Sequence, residues 1–282
     1  MPPPYTLPDP WYYLTNFEFA LDWIAGRYAD LLRPDELAFM HEFSHMPRPS
    51  RALLVRMMMR KGDLFRLSKL RYAEIGASRD AVQALVACGW VDASPLIGID
   101  DLCTLLTRNE VALLFSAELD RAGLLSATKT TQRHYLQTRH IEAHAFTDWL
   151  TRAESLLPLT QERSEHAAQQ GAVLTERAKD LPARAALAVD HVYKVMVGPL
   201  CERFRLMFFG NMRQDWTEFV LADLGMFRYE PVPFPLSSRA FQTSREIDDY
   251  LHLHRCKEKL EQHSGCDELA GILDAVTPDP YD

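Results

Sequence analysis

A chain of 282 residues with 47% hydrophobic content has material for two or three ordinary domains or one long helical array, which excludes global disorder. No apolar run reaches the roughly 18 residues that suggest a membrane span, and MPPPYTLPDPWYYL lacks the basic-then-apolar order of a secretory signal, so no membrane partner is expected. The formal charge of −8, from 31 basic and 39 acidic residues, argues against wholesale coating of nucleic acid but leaves local fields open.

The chain reads as mainly α, with helical periodicity and prolines dominating and strand-like alternation rare. Pro34-Asp35-Glu36 opens a helix with proline and acids in the first turn, where the dipole favours them. It must stop before Pro47. This helix carries His41-Glu42-Phe43-Ser44-His45, a literal match to the HExxH zinc pattern. A catalytic zinc needs a third ligand from a neighbouring helix, whereas a strongly basic segment follows here. Phe39, Phe43 and Met46 give the helix an ordinary apolar face. No zinc is expected.

The next helix is expected over Arg51–Lys61, closed by Gly62. Between Arg48 and Arg71 eight bases face the single acid Asp63, a local +7 that leaves −15 on the remainder. Arg56 and Arg60, four apart, would share a helical face, with Leu53, Leu54, Met57 and Met58 anchoring the other side. Lys61 ends that helix, and Arg66, Lys69 and Arg71 follow on the next element. Cations held at several points along a chain suit a phosphate backbone, and one acid cannot pair them within the segment. A solvated face balanced by acids elsewhere is the competing explanation.

A further helix over residues 79–88 stops at Gly89, and Trp90-Val91 suggests a short extended segment, as in a wing. Thr107-Arg108-Asn109-Glu110 is a capping box, with a hydroxyl at the cap and a carboxylate three residues on. After a small-residue turn, Lys129 and Arg133 open another helix, where helix-start N–H groups and cations could clamp a phosphate. A plain helical hairpin explains the same residues. Residues 158–184 look like a solvated helix or linker, and 189–226 like a buried helix pair. Pro231, Pro233 and Pro235 mark a boundary, and two amphipathic stretches, 244–261 and 266–275, follow as one helical hairpin. His252, His254, Cys256, His263 and Cys266 match no finger spacing, and the five cysteines lack CxxC pairs. They read as reduced thiols of a cytoplasmic protein.

YYLTNFEFALDWI, RALLVRMMMRKGDLFRLSKLRYAEIG, GWVD, LLTRNEVALLF, FFGN and VLADLGMFRYE together resemble the N-terminal half of the Fanconi-associated nucleases, structure-specific enzymes with a C-terminal VRR-NUC domain. The similarity covers most of the chain, is weakest around 145–188, and is most specific in the basic block. It implies an N-terminal helical DNA-binding domain over 1–100 and a SAP-like module over 101–145. A helical linker would occupy 146–235, and the start of a tetratricopeptide-like region 236–282. The fold expected is therefore multi-helical, with a winged-helix-like and SAP DNA-binding region ahead of helical repeats. The resemblance also implies 5′-flap cleavage and 5′-to-3′ degradation in interstrand-crosslink repair, with Mg²⁺ or Mn²⁺. Arg56, Arg60, Lys61 and Lys69 match positions of the block that contacts duplex DNA, and Lys129 and Arg133 fall in the SAP segment.

One part of that pattern is absent. The family's nuclease site needs an Asp and a Glu-x-Lys pair, yet no lysine among the 282 residues has an acid two positions before it. The expectation is a DNA-binding half with no catalytic residues and no metal of its own. Its partners would be branched or flap duplex DNA and a separate nuclease portion, at a cytoplasmic, nucleoid-associated location. A non-catalytic interaction scaffold whose basic face meets an acidic protein is the alternative.

Overall fold

Tyr13, Phe17, Leu21, Ile24 and Tyr28 recur every three or four residues and are all buried along α1 (Tyr12–Tyr28). The computed structural model describes residues 9–155, 185–218 and 235–262. The chain divides into two units, one formed by Met1–Lys61 with Val197–Asp282 and the other by Gly62–Met196. The first is thus discontinuous in sequence. None of the described helices is long and apolar enough to cross a membrane.

In the first unit α1 packs on α3 (Arg48–Met58) and α10 (Gly198–Phe209), and α10 packs on α11 (Ser244–Gln262). Phe17 meets Phe43 of α2 (Pro34–His45) edge-on at 5.4 Å and Trp216 at 4.9 Å, and Phe39 meets Phe204 at 5.6 Å. Beside these rings lies a buried ionic knot. Arg203 of α10 bonds Glu36 of α2 and Asp248 of α11, and Arg33 reaches the same Asp248. Arg203 and Glu36 side chains are 5% and 1% exposed, so each charge depends on the other. The α3 helix differs from expectation. It starts at Arg48, because Pro49 is tolerated in a first turn, and it ends at Met58. The Arg60 amide then bonds the Met57 carbonyl, and Gly62 takes φ +83°. Arg60 and Lys61 therefore lie on a turn, and Arg60 does not share a helical face with Arg56.

The second unit is built on a three-stranded antiparallel sheet ordered β1-β3-β2, with β1 Leu64–Arg66, β2 Val91–Asp92 and β3 Val192–Val195. Leu64 pairs with Lys194, Arg66 with Val192, and Val91 with Val195. The segment opening at Val189, expected as helix, thus contributes the central strand, and helix begins only at Gly198. The α4 helix (Ser78–Ala87) leads through Gly89 into β2, as the wing expectation required. The helices α5 (Ile99–Leu105), α6 (Arg108–Leu114), α7 (Ser116–Arg121), α8 (Lys129–Gln137) and α9 (Phe146–Ser155) follow. Leu102, Val111, Leu119, Leu136 and Trp149 form their shared core, and the Trp149 indole donates to the Ile97 carbonyl at 2.8 Å. The expectations for 158–184, 219–226, Pro231, Pro233 and 266–275 lie outside the described residues.

Candidate nucleic-acid interface

In the first unit the residues of the basic block are held in three ways. The α3 helix buries Leu53, Leu54 and Met57, which sets Arg56 at its edge against α1. The Arg56 guanidinium lies over the Tyr13 ring, 3.8 Å from its centroid. An aromatic face restricts the guanidinium without cancelling its charge, so Arg56 stays cationic and oriented. Arg48 stacks likewise on Trp11 at 4.4 Å. Arg51 instead pairs with Glu18 of α1. Arg60 and Lys61 are exposed on the turn beyond α3.

In the second unit Arg66 goes inward. Its side chain is 5% exposed, with Nε 2.8 Å from Asp190 and Nη1 2.9 Å from Glu110. Ser68 donates to Asp190 through both its amide and its hydroxyl. Burial alone would raise the Asp190 carboxyl, but the bonds from Ser68 and Arg66 outweigh it and hold its pKa below the ordinary value. Glu110 follows the same pattern, with burial opposed by Arg66 and Thr107. Arg66 therefore joins β1, α6 and the approach to β3 and presents no charge to solvent. Lys69, ending a 3₁₀ turn over Leu67–Lys69, and Arg71 just after it are exposed.

The capping box forms as its spacing requires: Glu110 accepts from the Thr107 amide at 2.7 Å, and Thr107 accepts from the Glu110 amide at 3.3 Å. On α8 the Thr128 hydroxyl caps the Thr131 amide, and half-buried Lys129 occupies the first helical position. Arg133 projects one turn later and is exposed, but its Nε donates to Asp100 at 2.7 Å. That bond raises the Arg133 pKa and ties up part of the guanidinium. Arg79, in the first turn of α4, is a further exposed cation. It lies outside the 48–71 block, so a reading guided by local charge density passes over it.

The histidine motifs are also placed. The rings of His41 and His45 lie 4.5 Å apart on the exposed side of α2, and His45 Nδ1 sits 2.8 Å from the His41 carbonyl oxygen. His252 Nε2 lies 3.6 Å from Cys256 Sγ, and His263 and Cys266 fall outside the described residues. Among the described residues no group of three or more His, Cys, Asp or Glu side chains could hold a metal ion.

Comparison with known proteins gives this geometry a family. The family model described as "FAN1, HTH domain" matches residues 11–92, and that of the "Fanconi anemia-associated nuclease SAP domain" matches 96–149. The Fanconi-associated nuclease 1 homolog of Pseudomonas aeruginosa is 42% identical over 275 residues, covering 98% of this chain and 42% of that protein. The Oryza sativa subsp. japonica homolog is 25% identical over 240 residues, covering 85% of this chain and 22% of its own. The solved structure of paFAN1 bound to 2-nt 5′-flap DNA with gap aligns at TM-score 0.77 and 40% identity, over 98% of this chain and 43% of that one. The complex with 1-nt 5′-flap DNA gives 0.75 and 40%, over 97% and 43%. The chain thus spans about two-fifths of its bacterial relative's length. Two domains of one family matched in order, with near-complete coverage of this chain at this identity, show that the chain carries the HTH and SAP domains of the Fanconi-associated nucleases and corresponds to the N-terminal part of its bacterial relative.

Proposed function

We propose that this chain is the DNA-binding half of a structure-specific DNA-repair nuclease, gripping branched or 5′-flap duplex DNA for cleavage by a nuclease portion. Its setting would be interstrand-crosslink repair on chromosomal DNA, and hence cytoplasmic and nucleoid-associated. The observation that carries this reading is the likeness, at 40% identity over 98% of the chain, to paFAN1 bound to 5′-flap DNA. The phosphate contacts we assign are Arg56, Arg60 and Lys61 in the first unit, and Lys69, Arg71, Lys129 and Arg133 in the second. Arg66 is left out, because opening its two ion pairs would strand Asp190.

Likeness to a nuclease family suggests metal dependence, with Mg²⁺ or Mn²⁺ the expected ions. Among the described residues the donors do not gather into such a site. No Asp/Glu-x-Lys triplet occurs in its sequence, and the described acids, histidines and cysteines gather nowhere in threes. The contribution we assign to this chain is therefore grip and orientation.

Fluorescence anisotropy with a 5′-flap duplex across a salt series tests the reading. Each neutralised phosphate releases condensed counterions, so log affinity should fall linearly with log salt at about −0.9 per contact. A slope of roughly −6 is expected from the seven assigned contacts, and Arg60→Ala should flatten it by about one unit on every sequence alike. Salt-independent or undetectable DNA binding by the folded chain would leave the interaction scaffold as the better description.

A further inference from the structure

The second unit carries a cavity of about 460 Å³ between the 3₁₀ turn and the start of α4, with walls that include Leu67, Leu70, Arg71, Tyr72, Ala77 and Arg79. Its frame is fixed by hydrogen bonds. The Ser78 hydroxyl donates to the Leu70 carbonyl across the floor. The Ile75 and Gly76 amides both bond the Tyr72 carbonyl, at 3.2 and 3.1 Å, and Gly76 takes φ +74° to complete that turn. The fold thus brings together two arginines eight positions apart in sequence. Both are exposed, and no acid lines the cavity.

The chemistry of the lining selects an occupant. A bare phosphate needs cations but gains nothing from leucine and alanine walls, whereas an apolar ligand gains nothing from two arginines in the lining. A nucleotide has both parts, a flat base and an anionic phosphate, and single-strand sites combine aromatic or apolar platforms with arginines. The volume is within the range of small-ligand pockets. A base stacked in duplex is hidden from such a pocket, so only an unpaired one can enter. We infer that this cavity takes one unpaired nucleotide of a DNA strand, with its base against Leu67 and Ala77 and its phosphate at Arg71 and Arg79. The inference rests on the DNA-binding reading above and adds to it a device that senses a strand end or flap.

The full chain is titrated with three probes: a blunt duplex, the same duplex with one unpaired thymidine as 5′ flap, and that flap with an abasic residue. Base stacking in such platforms corresponds to a gain of about fivefold or more in affinity, so the thymidine flap should bind at least that much tighter than the abasic one. Ala77→Phe, at an exposed position with φ −74° that any side chain adopts, should abolish this difference and leave blunt-duplex affinity unchanged. Arg79→Gln should weaken flap binding more than blunt-duplex binding, which keeps the inference testable if Ala77→Phe disturbs the fold. An unpaired 5-iododeoxyuridine should photo-crosslink within residues 67–79. Equal affinity for thymidine and abasic flaps, or crosslinks only elsewhere, would overturn the pocket while leaving duplex binding intact. Failure on all three duplexes would instead sink the DNA-binding reading. In that case crosslinking of a single-stranded oligonucleotide within 67–79 would still support the pocket, and its absence would refute it.

Discussion

Arg66 and Lys69 stand three residues apart in one basic run and sit in opposite environments. Nothing in the run distinguishes them, because the partners of Arg66 are 44 and 124 positions away, at Glu110 and Asp190. Arg66, at the end of β1, is buried, whereas Lys69, after the strand, faces water. Arg66→Met should therefore cost roughly 3–5 kcal/mol in urea unfolding, since it leaves Asp190 buried without its cation. Lys69→Ala should cost within about 0.5 kcal/mol. A mild effect of Arg66→Met would mean that Ser68 and the His191 amide satisfy Asp190 without the cation. The same carboxylates set an acid limit. Asp190 and Glu110 have lower pKa values folded than unfolded, so the native state binds fewer protons and their contribution is fully present above the unfolded values, near about 4. It is lost as pH falls through the folded values. The urea midpoint should hold from about pH 6 to 8 and drop below about pH 4, and Asp190→Asn should flatten that drop. An acid limb as steep in Asp190→Asn as in wild type would shift the cause to other carboxylates.

At the scale of elements, legibility followed range. The α2 helix was readable because proline, first-turn acids and a following Pro47 all act within a few residues, and α6 because its capping box is purely local. The wing strand β2 was signalled by Gly89 and Trp90. The β1 and β3 strands were not, since three or four residues are too few for a period, and VYKV is a strand only because partners wait on both sides. The α3 helix shows a subtler failure. Of its apolar anchors Leu53, Leu54 and Met57 are buried and Met58 only partly so, and Gly62 stands beyond a last helical turn that ends at Met58. That shift moved Arg60 and Lys61 from a helix face to a turn. The candidate interface was thus visible as residue types and hidden as geometry, because charge can be counted along a chain while pairing depends on elements brought from elsewhere.

For the molecule as a whole, a net charge of −8 is compatible with holding a polyanion only if acids near the contact surface are few or already engaged. Asp100 is the informative exception. It lies in the first turn of α5, where the helix dipole favours it, and accepts from both Arg133 and Gln137 of α8. A phosphate approaching Arg133 must share the guanidinium with Asp100 and meets a like charge beside it. Asp100→Asn keeps an acceptor oxygen for Gln137 and removes the negative charge. Both side chains of the pair are nearly half exposed, at 45% and 47%, so the lost ion pair should cost no more than about 1 kcal/mol in stability. Duplex affinity should rise roughly three- to tenfold near 0.1 M salt, because an attraction of that size is returned to the phosphate. The salt slope should steepen by up to about one unit as Arg133 becomes a full counterion-releasing contact. In the Asp100→Asn/Arg133→Ala double variant both gains should vanish, which separates an effect through Arg133 from a general loss of negative charge. Anisotropy on the single and double variants measures all of this, and an affinity that rises equally with and without Arg133 would remove Arg133 from the proposed phosphate contacts.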